Sequence, residues 1–230
     1  MFDYITEIEK MRGGPQAPSV KNLADVSSDV AIIKITKDTL NLDLLPNFPK
    51  LRFLSAYDVD VQSFEIICSA INLTHLSINT AGLKSLDRLA GLINLHGLEV
   101  TDNTKIDSLA WLSALESLHV FLLANCPVSV DLFPIKSCKE LRCLWLSSSY
   151  SKPMRINSLD PLGHLAKLES LFLKNVRVAD KKLSALRSLD ALVKVELPDF
   201  FPKKEFLELA ASLPAAKGYW LDMHKQNSEK

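Results

Sequence analysis

Cys143 and His119 come nearer to a catalytic arrangement than any other side chains in this sequence, a thiol beside an imidazole that could take its proton. On adjacent parallel strands and one pleat apart, their Cα atoms would stand roughly 7–9 Å from each other. A cysteine nucleophile also needs an orienting group and donors for an oxyanion. No Asp, Asn or Glu flanks the pair on its face, and a flat sheet supplies no helix N-terminus, so catalysis is not expected. Cys68, Cys126, Cys138 and Cys143 have neither paired C-x-x-C spacing nor the density of a disulfide scaffold. His75, His96, His119, His164 and His224 are scattered, so no metal is expected. With seven glycines there is no phosphate-cradling loop, and H-E-x-x-H and G-x-S-x-G are absent. No cofactor is expected.

Recognition chemistry is better represented. His119, Trp145 and Phe172 fall in one column of successive strands, with Phe121 one pleat away. Strands about 4.8 Å apart would set these rings side by side. Contiguous exposed rings mark binding surfaces, and aromatic anchors dominate interface energetics. Tyr57 and Lys174 lie on the same face. The expected site is therefore a protein-binding patch of Tyr57, His119, Phe121, Trp145, Phe172 and Lys174.

These placements rest on a repeat. Apolar triplets spaced L-x-x-L-x-L occur at Val30/Ile33/Ile35, Leu51/Leu54/Ala56, Leu73/Leu76/Ile78, Leu95/Leu98/Val100, Leu115/Leu118/Val120, Leu141/Leu144/Leu146, Leu168/Leu171/Leu173, Leu192/Val195/Leu197 and Ala216/Tyr219/Leu221. Their starts are 21, 22, 22, 20, 26, 27, 24 and 24 residues apart. Within Leu73–Asn94, Leu76 and Ile78 share one face of a short strand, and Leu83, Leu86, Leu89 and Leu92 follow at steps of three. A strict three-residue step suits 3₁₀ turns better than an α-helix. Each unit thus supplies one parallel strand and a turn-rich return, and stacking buries the leucines.

Ile106-x-x-Leu109-x-x-Leu112-x-x-Leu115 and Ile156-x-x-Leu159-Asp160-Pro161-Leu162-x-x-Leu165-x-x-Leu168 resemble the short repeats of internalin-like leucine-rich-repeat proteins. The resemblance covers residues 30–223. It implies an α/β fold, a curved right-handed solenoid with a parallel concave sheet of about nine strands, used for protein recognition. That family places an Asn in the turn after each strand. Asn103 holds that place here, Ala81 replaces it one repeat earlier, and Asn125 and Asn175 are out of step.

The segments from Leu115 to Leu141 and from Leu141 to Leu168 are longer, with extra residues at Asn125–Val128 and Ser147–Pro153 that would raise a rim beside the concave face. An open solenoid needs caps. Residues 1–29, with Ile5, Ile8 and Met11 at helical spacing before Gly13-Gly14-Pro15, form the expected N-terminal cap. Residues 30–223 form the solenoid and its C-terminal cap. That cap is read as a helix after Pro202 bearing Phe206, Leu209, Ala210 and Leu213, then a strand from Gly218 to Met223. Residues 224–230 are polar and expected to be disordered.

Lys+Arg and Asp+Glu number 27 each, so no net field favours nucleic acid or an anionic membrane. The N-terminus carries acids where a signal peptide needs basic then apolar residues, and no apolar run reaches a membrane span. The expectation is a cytoplasmic, non-enzymatic, monomeric protein that binds an unidentified protein through its concave face. A regulatory or inhibitory subunit masking an enzyme or toxin, or a self-assembling structural solenoid, are the alternatives.

Overall fold

The structure is a computed structural model that describes residues 3–12, 17–106, 108–126, 129–149 and 151–226, with Tyr4, Lys10 and Met11 described by backbone alone. The Gly13-Gly14-Pro15 break, Pro127 and Val128, Tyr150 and residues 227–230 lie outside that description. The described strands are β1 (Ile32–Thr36), β2 (Phe53–Tyr57), β3 (His75–Asn79), β4 (Gly97–Thr101), β5 (Val120–Ala124), β6 (Ser129–Val130), β7 (Cys143–Ser147), β8 (Met154–Ile156), β9 (Ser170–Lys174), β10 (Val176–Val178) and β11 (Lys194–Glu196). The α-helices are α1 (Tyr4–Met11), α2 (Val61–Ile67), α3 (Lys203–Ser212) and α4 (Tyr219–Gln226).

Eight strands pair in parallel in the order β1-β2-β3-β4-β5-β7-β9-β11, and β10, β8 and β6 form a small second parallel sheet. Each return to the far side passes through a short helical turn. Asp87–Gly91, Ala110–Ala114, Phe133–Ser137 and Asp160–His164 are 3₁₀, as the three-residue leucine step requires, whereas Val61–Ile67 winds into an α-helix. Asp60 caps that helix by accepting from the Ser63 N–H at 2.8 Å. One continuous core runs the length of the sheet and takes in Leu54, Leu76, Leu98, Leu144 and Leu171.

The pairing corrects one repeat. Gly97 faces Val120, and Leu98 faces Phe121, which in turn faces Leu144. The inward triplet of the fifth repeat is therefore Leu118/Phe121/Leu123, three residues later than expected. Phe121 is 0% exposed and meets Trp111 edge-on at 5.9 Å. The irregular spacings of 20 and 26 become 23 and 23, counting Leu95 to Leu118 to Leu141. The corrected spacing removes the excess length that suggested extra residues at Asn125–Val128, of which Pro127 and Val128 lie outside the described residues. The extra length between β7 and β9 is real: Ser149 bridges to Lys152, and the Ser148 hydroxyl donates to the Lys152 carbonyl at 2.6 Å.

Strand exits turn through left-handed residues at Asp58, Asp102, Asn125 and Asn175, with φ between 55° and 61°. Asn and Asp tolerate that region best among residues with a Cβ. With the register corrected, Asn125 and Asn175 are in step with Asp58 and Asp102. The inward asparagine place holds Asn103, whose amide donates to the Leu83 carbonyl at 2.9 Å, and then Cys126, whose thiol lies 3.3 Å from the Ala124 carbonyl. Asn or Cys at this place is characteristic of such repeats.

The ends differ from expectation in two respects. Residues 18–20 pair with Lys34 beside β1 and bury Leu23, which closes the first layer. Helix α1, by contrast, lies across the concave side, packed on β2, β3, β4 and β5. At the other end α3 buries Phe206 and Leu209, but the expected ninth strand is replaced by α4. Lys217 still pairs with β11, through bonds to the Val193 carbonyl and from the Val195 N–H. The Asp222 carboxylate then accepts from the Gly218 N–H at 3.2 Å and starts the helix, leaving Tyr219 exposed. The helix runs to Gln226, so residues 224–226 are ordered in it.

Candidate functional site

The outward side chains form three columns across the sheet. The middle one reads Lys34, Ser55, Ser77, Glu99, Leu122, Trp145, Phe172, Glu196. The shifted register changes the expected patch. Trp145 and Phe172 are neighbours, stacked at 4.7 Å and 22°, but they are not the exposed rings expected: Phe172 is buried and Trp145 half-buried, because the stack and the apolar cluster beside it shield them. Leu122, not His119, completes their column, and Phe121 lies in the core beneath. His119 precedes β5, where its ring sits 4.9 Å from that of His96. Burial, and then the charge of His96, hold its imidazole below the usual range. Tyr57 remains exposed at the end of β2, far from the pair, and Lys174 is exposed at the end of β9.

The concave surface has two different halves. Toward β11 it opens into a cleft of about 680 Å³ lined by Trp145, Phe172, Lys174, Lys194, Tyr219 and Trp220. The Lys194 ammonium stands 5.3 Å from the Phe172 ring centre, within cation–π reach. Trp220 therefore joins the aromatic surface. The turn into α4 folds it back beside β11.

Toward β2 the surface is covered by α1. The Glu7 carboxylate meets His75 Nε2 at 2.8 Å, and the His75 ring stacks on Phe53 at 4.7 Å. Arg12 grips Glu99 with two nitrogens, Nε at 3.0 and 3.1 Å and Nη2 at 2.6 Å. The Ser77 hydroxyl donates to the same carboxylate at 2.8 Å. Glu99 is 2% exposed, and such a buried carboxylate is tolerable only when paired and hydrogen-bonded. Between the halves, Val120, Leu122, Cys143 and Phe172 form a small apolar cluster against which Ile8 and Trp145 pack. Sequence reasoning missed Glu7, Arg12 and Glu99 as a set. The one available signal was Glu99 itself, an acid that follows two serines, Ser55 and Ser77, in its column.

Cys143 is 0% exposed, and burial pushes its thiol up to about 12. A buried sulfur held as the thiol is the reverse of an activated nucleophile. Cys68, at 9%, is the most accessible of the four. In the folded protein a maleimide should therefore modify Cys68 first and Cys126, Cys138 and Cys143 much more slowly, read by peptide mapping. Modification of Cys143 ahead of Cys68 would contradict this order. Among the described residues no cluster of three His, Cys, Asp or Glu could hold a metal ion, and no helix is long and apolar enough to cross a membrane.

No protein-family model matches the sequence, and no curated protein is significantly similar to it. Solved structures do resemble it. An internalin of Listeria monocytogenes superposes with a TM-score of 0.63 at 18% identity, over 83% of this chain and 54% of that one. Internalin C2 of the same organism gives 0.56 at 22%, over 70% and 66%. The Arabidopsis receptor kinase HAESA, in complex with the peptide hormone IDA and the co-receptor SERK1, gives 0.56 at 16%, over 84% and 34%. The chain thus spans from about a third to two thirds of the length of these neighbours. Together with the parallel sheet, the 3₁₀ returns and the L-x-x-L-x-L register, these likenesses show that the chain has the leucine-rich-repeat solenoid fold of the internalin-like type.

Proposed function

We propose that this protein is an interaction module that grips a segment of another protein on its concave face, with Trp145 and Phe172 at the centre of the contact. The observation that carries this reading is the stacked pair beside an open cleft lined by further rings and two lysines. Large rings held in place by stacking lose little entropy on binding and bury much area. The HAESA neighbour holds a peptide hormone, which supports a short protein segment as the ligand class, although fold alone does not carry a partner across. Lys174 and Lys194 favour acidic residues flanking an apolar anchor in that segment. His119 acts at the margin of this surface, and Phe121 acts only by supporting it from below.

Trp145→Ala should leave the protein folded and weaken capture of its partner by about 2 kcal/mol, roughly 30-fold in Kd, measured by titration calorimetry on the partner isolated with the wild-type chain. Ser170→Ala, a small polar neighbour, should change binding little. Normal binding by folded Trp145→Ala would refute the proposal. Acrylamide quenching offers an earlier check: Trp111 is buried, so the quenchable signal should come from Trp145 and Trp220, and Trp145→Phe should remove only part of it.

A further inference from the structure

On a bare solenoid the outward residues of the sheet face water. Here Ser55, His75, Ser77, Glu99, Leu122 and Cys143 are all buried, and the element lying over this part of the face is α1. Among the described side chains of α1 and the residue that follows it, three of different chemistry reach the sheet. Glu7 meets His75, Ile8 sits on the Val120–Leu122–Cys143 cluster, and Arg12 closes on Glu99. These contacts stand apart from the main core, which runs beneath the sheet and includes none of the described side chains of α1. Ile5 is 56% exposed, and the Arg12 side chain is equally open on its outer side. Eight residues are too few for a stable isolated helix, so α1 owes its order to the surface beneath it.

We propose that the β2–β7 part of the concave face is a receptor for an amphipathic helix of the pattern acid–aliphatic–x–x–x–Arg, and that α1 is its resident self-ligand, displaced when a helix of another protein carries the same pattern. The proposal deepens the reading of the concave face as a recognition surface and rests on it. A tethered helix competes at an effective concentration in the millimolar range, so the incoming helix binds only if it makes better contacts or is present with a second contact, such as the open aromatic cleft.

Cys143 reports directly on α1, because Ile8 packs on its cluster. Maleimide labelling of the full chain should modify Cys143 at least about tenfold faster in Ile8→Asp and in Arg12→Glu than in wild type, with Cys126 and Cys138 still slow, the signature of local opening. A fluorescent peptide of residues 3–12 should bind Ile8→Asp at least about tenfold more tightly than wild type, where the resident helix competes. Unchanged Cys143 labelling in both variants would overturn the proposal, as would failure of the peptide to bind Ile8→Asp. Equal acceleration at Cys126 and Cys138 in both variants would make α1 part of the folded core, with the same result. A wild-type dimer abolished by Arg12→Glu would make a second copy the occupant and overturn the assignment to another protein. None of these readouts involves the partner lost in Trp145→Ala, so failure here is distinct from failure of the cleft as a binding site.

Discussion

Phe121→Ala should destabilise the protein by about 3–5 kcal/mol, the cost of emptying a fully buried aromatic site. The ring stands in the inward row between Leu98 and Leu144 and meets Trp111 beneath the sheet. Leu98→Ala and Leu144→Ala, on either side of it and equally buried, should each cost about 2–5 kcal/mol. Equilibrium urea unfolding of the three variants measures this, and Trp145→Ala on the outward face provides the contrast. A loss below about 0.5 kcal/mol for Phe121→Ala would return the ring to solvent and restore the register Leu115/Leu118/Val120, since a shift by an odd number of residues, here three, exchanges the two faces of a strand.

Gly218→Ala should cost about 3 kcal/mol or more, at the upper end of what overpacking does. A Cβ built at Gly218 would stand 1.7 Å from the Val195 carbonyl oxygen and 2.8 Å from its carbon. Both are backbone atoms of β11 and cannot rotate away. The strand and α4 must therefore separate, which breaks the Lys217 pairing and bares the last layer of leucines. Amide exchange across Tyr219–Gln226 should accelerate together with the loss of stability. Gly91, with nothing within 4 Å of its own would-be Cβ, is the control, and Gly91→Ala should be close to neutral. A Gly218→Ala protein as stable as wild type would mean that α4 does not close the solenoid.

The phase error in the fifth repeat has a physical cause. Val120-Phe121-Leu122-Leu123 is apolar on both faces of the strand, because Ile8 of α1 and the neighbouring rings shield its outward residues from water. Alternation, the signal that sets the phase of a strand, is absent there, and Leu115-x-x-Leu118-x-Val120 satisfies the same template as Leu118-x-x-Phe121-x-Leu123. Trp145 and Phe172 share the outward column because β7 and β9 each keep a distinct leucine row on their inner side. Gly218 to Met223 reads as apolar alternation, hence the expected strand. The reciprocal Gly218–Asp222 bonds and the tight approach to Val195 wind that segment into a helix instead.

The sequence by itself determined the repeat, its parallel strands, its 3₁₀ returns and the buried leucine rows, because each of these follows from apolar spacing within one unit and its contacts with the next. Tertiary structure alone decided what covers the concave face. The contacts of Glu7 with His75 and of Arg12 with Glu99 join residues 68 and 87 positions apart. No local period links such residues, since they meet only once the solenoid has curved and the chain before it has folded back across the sheet.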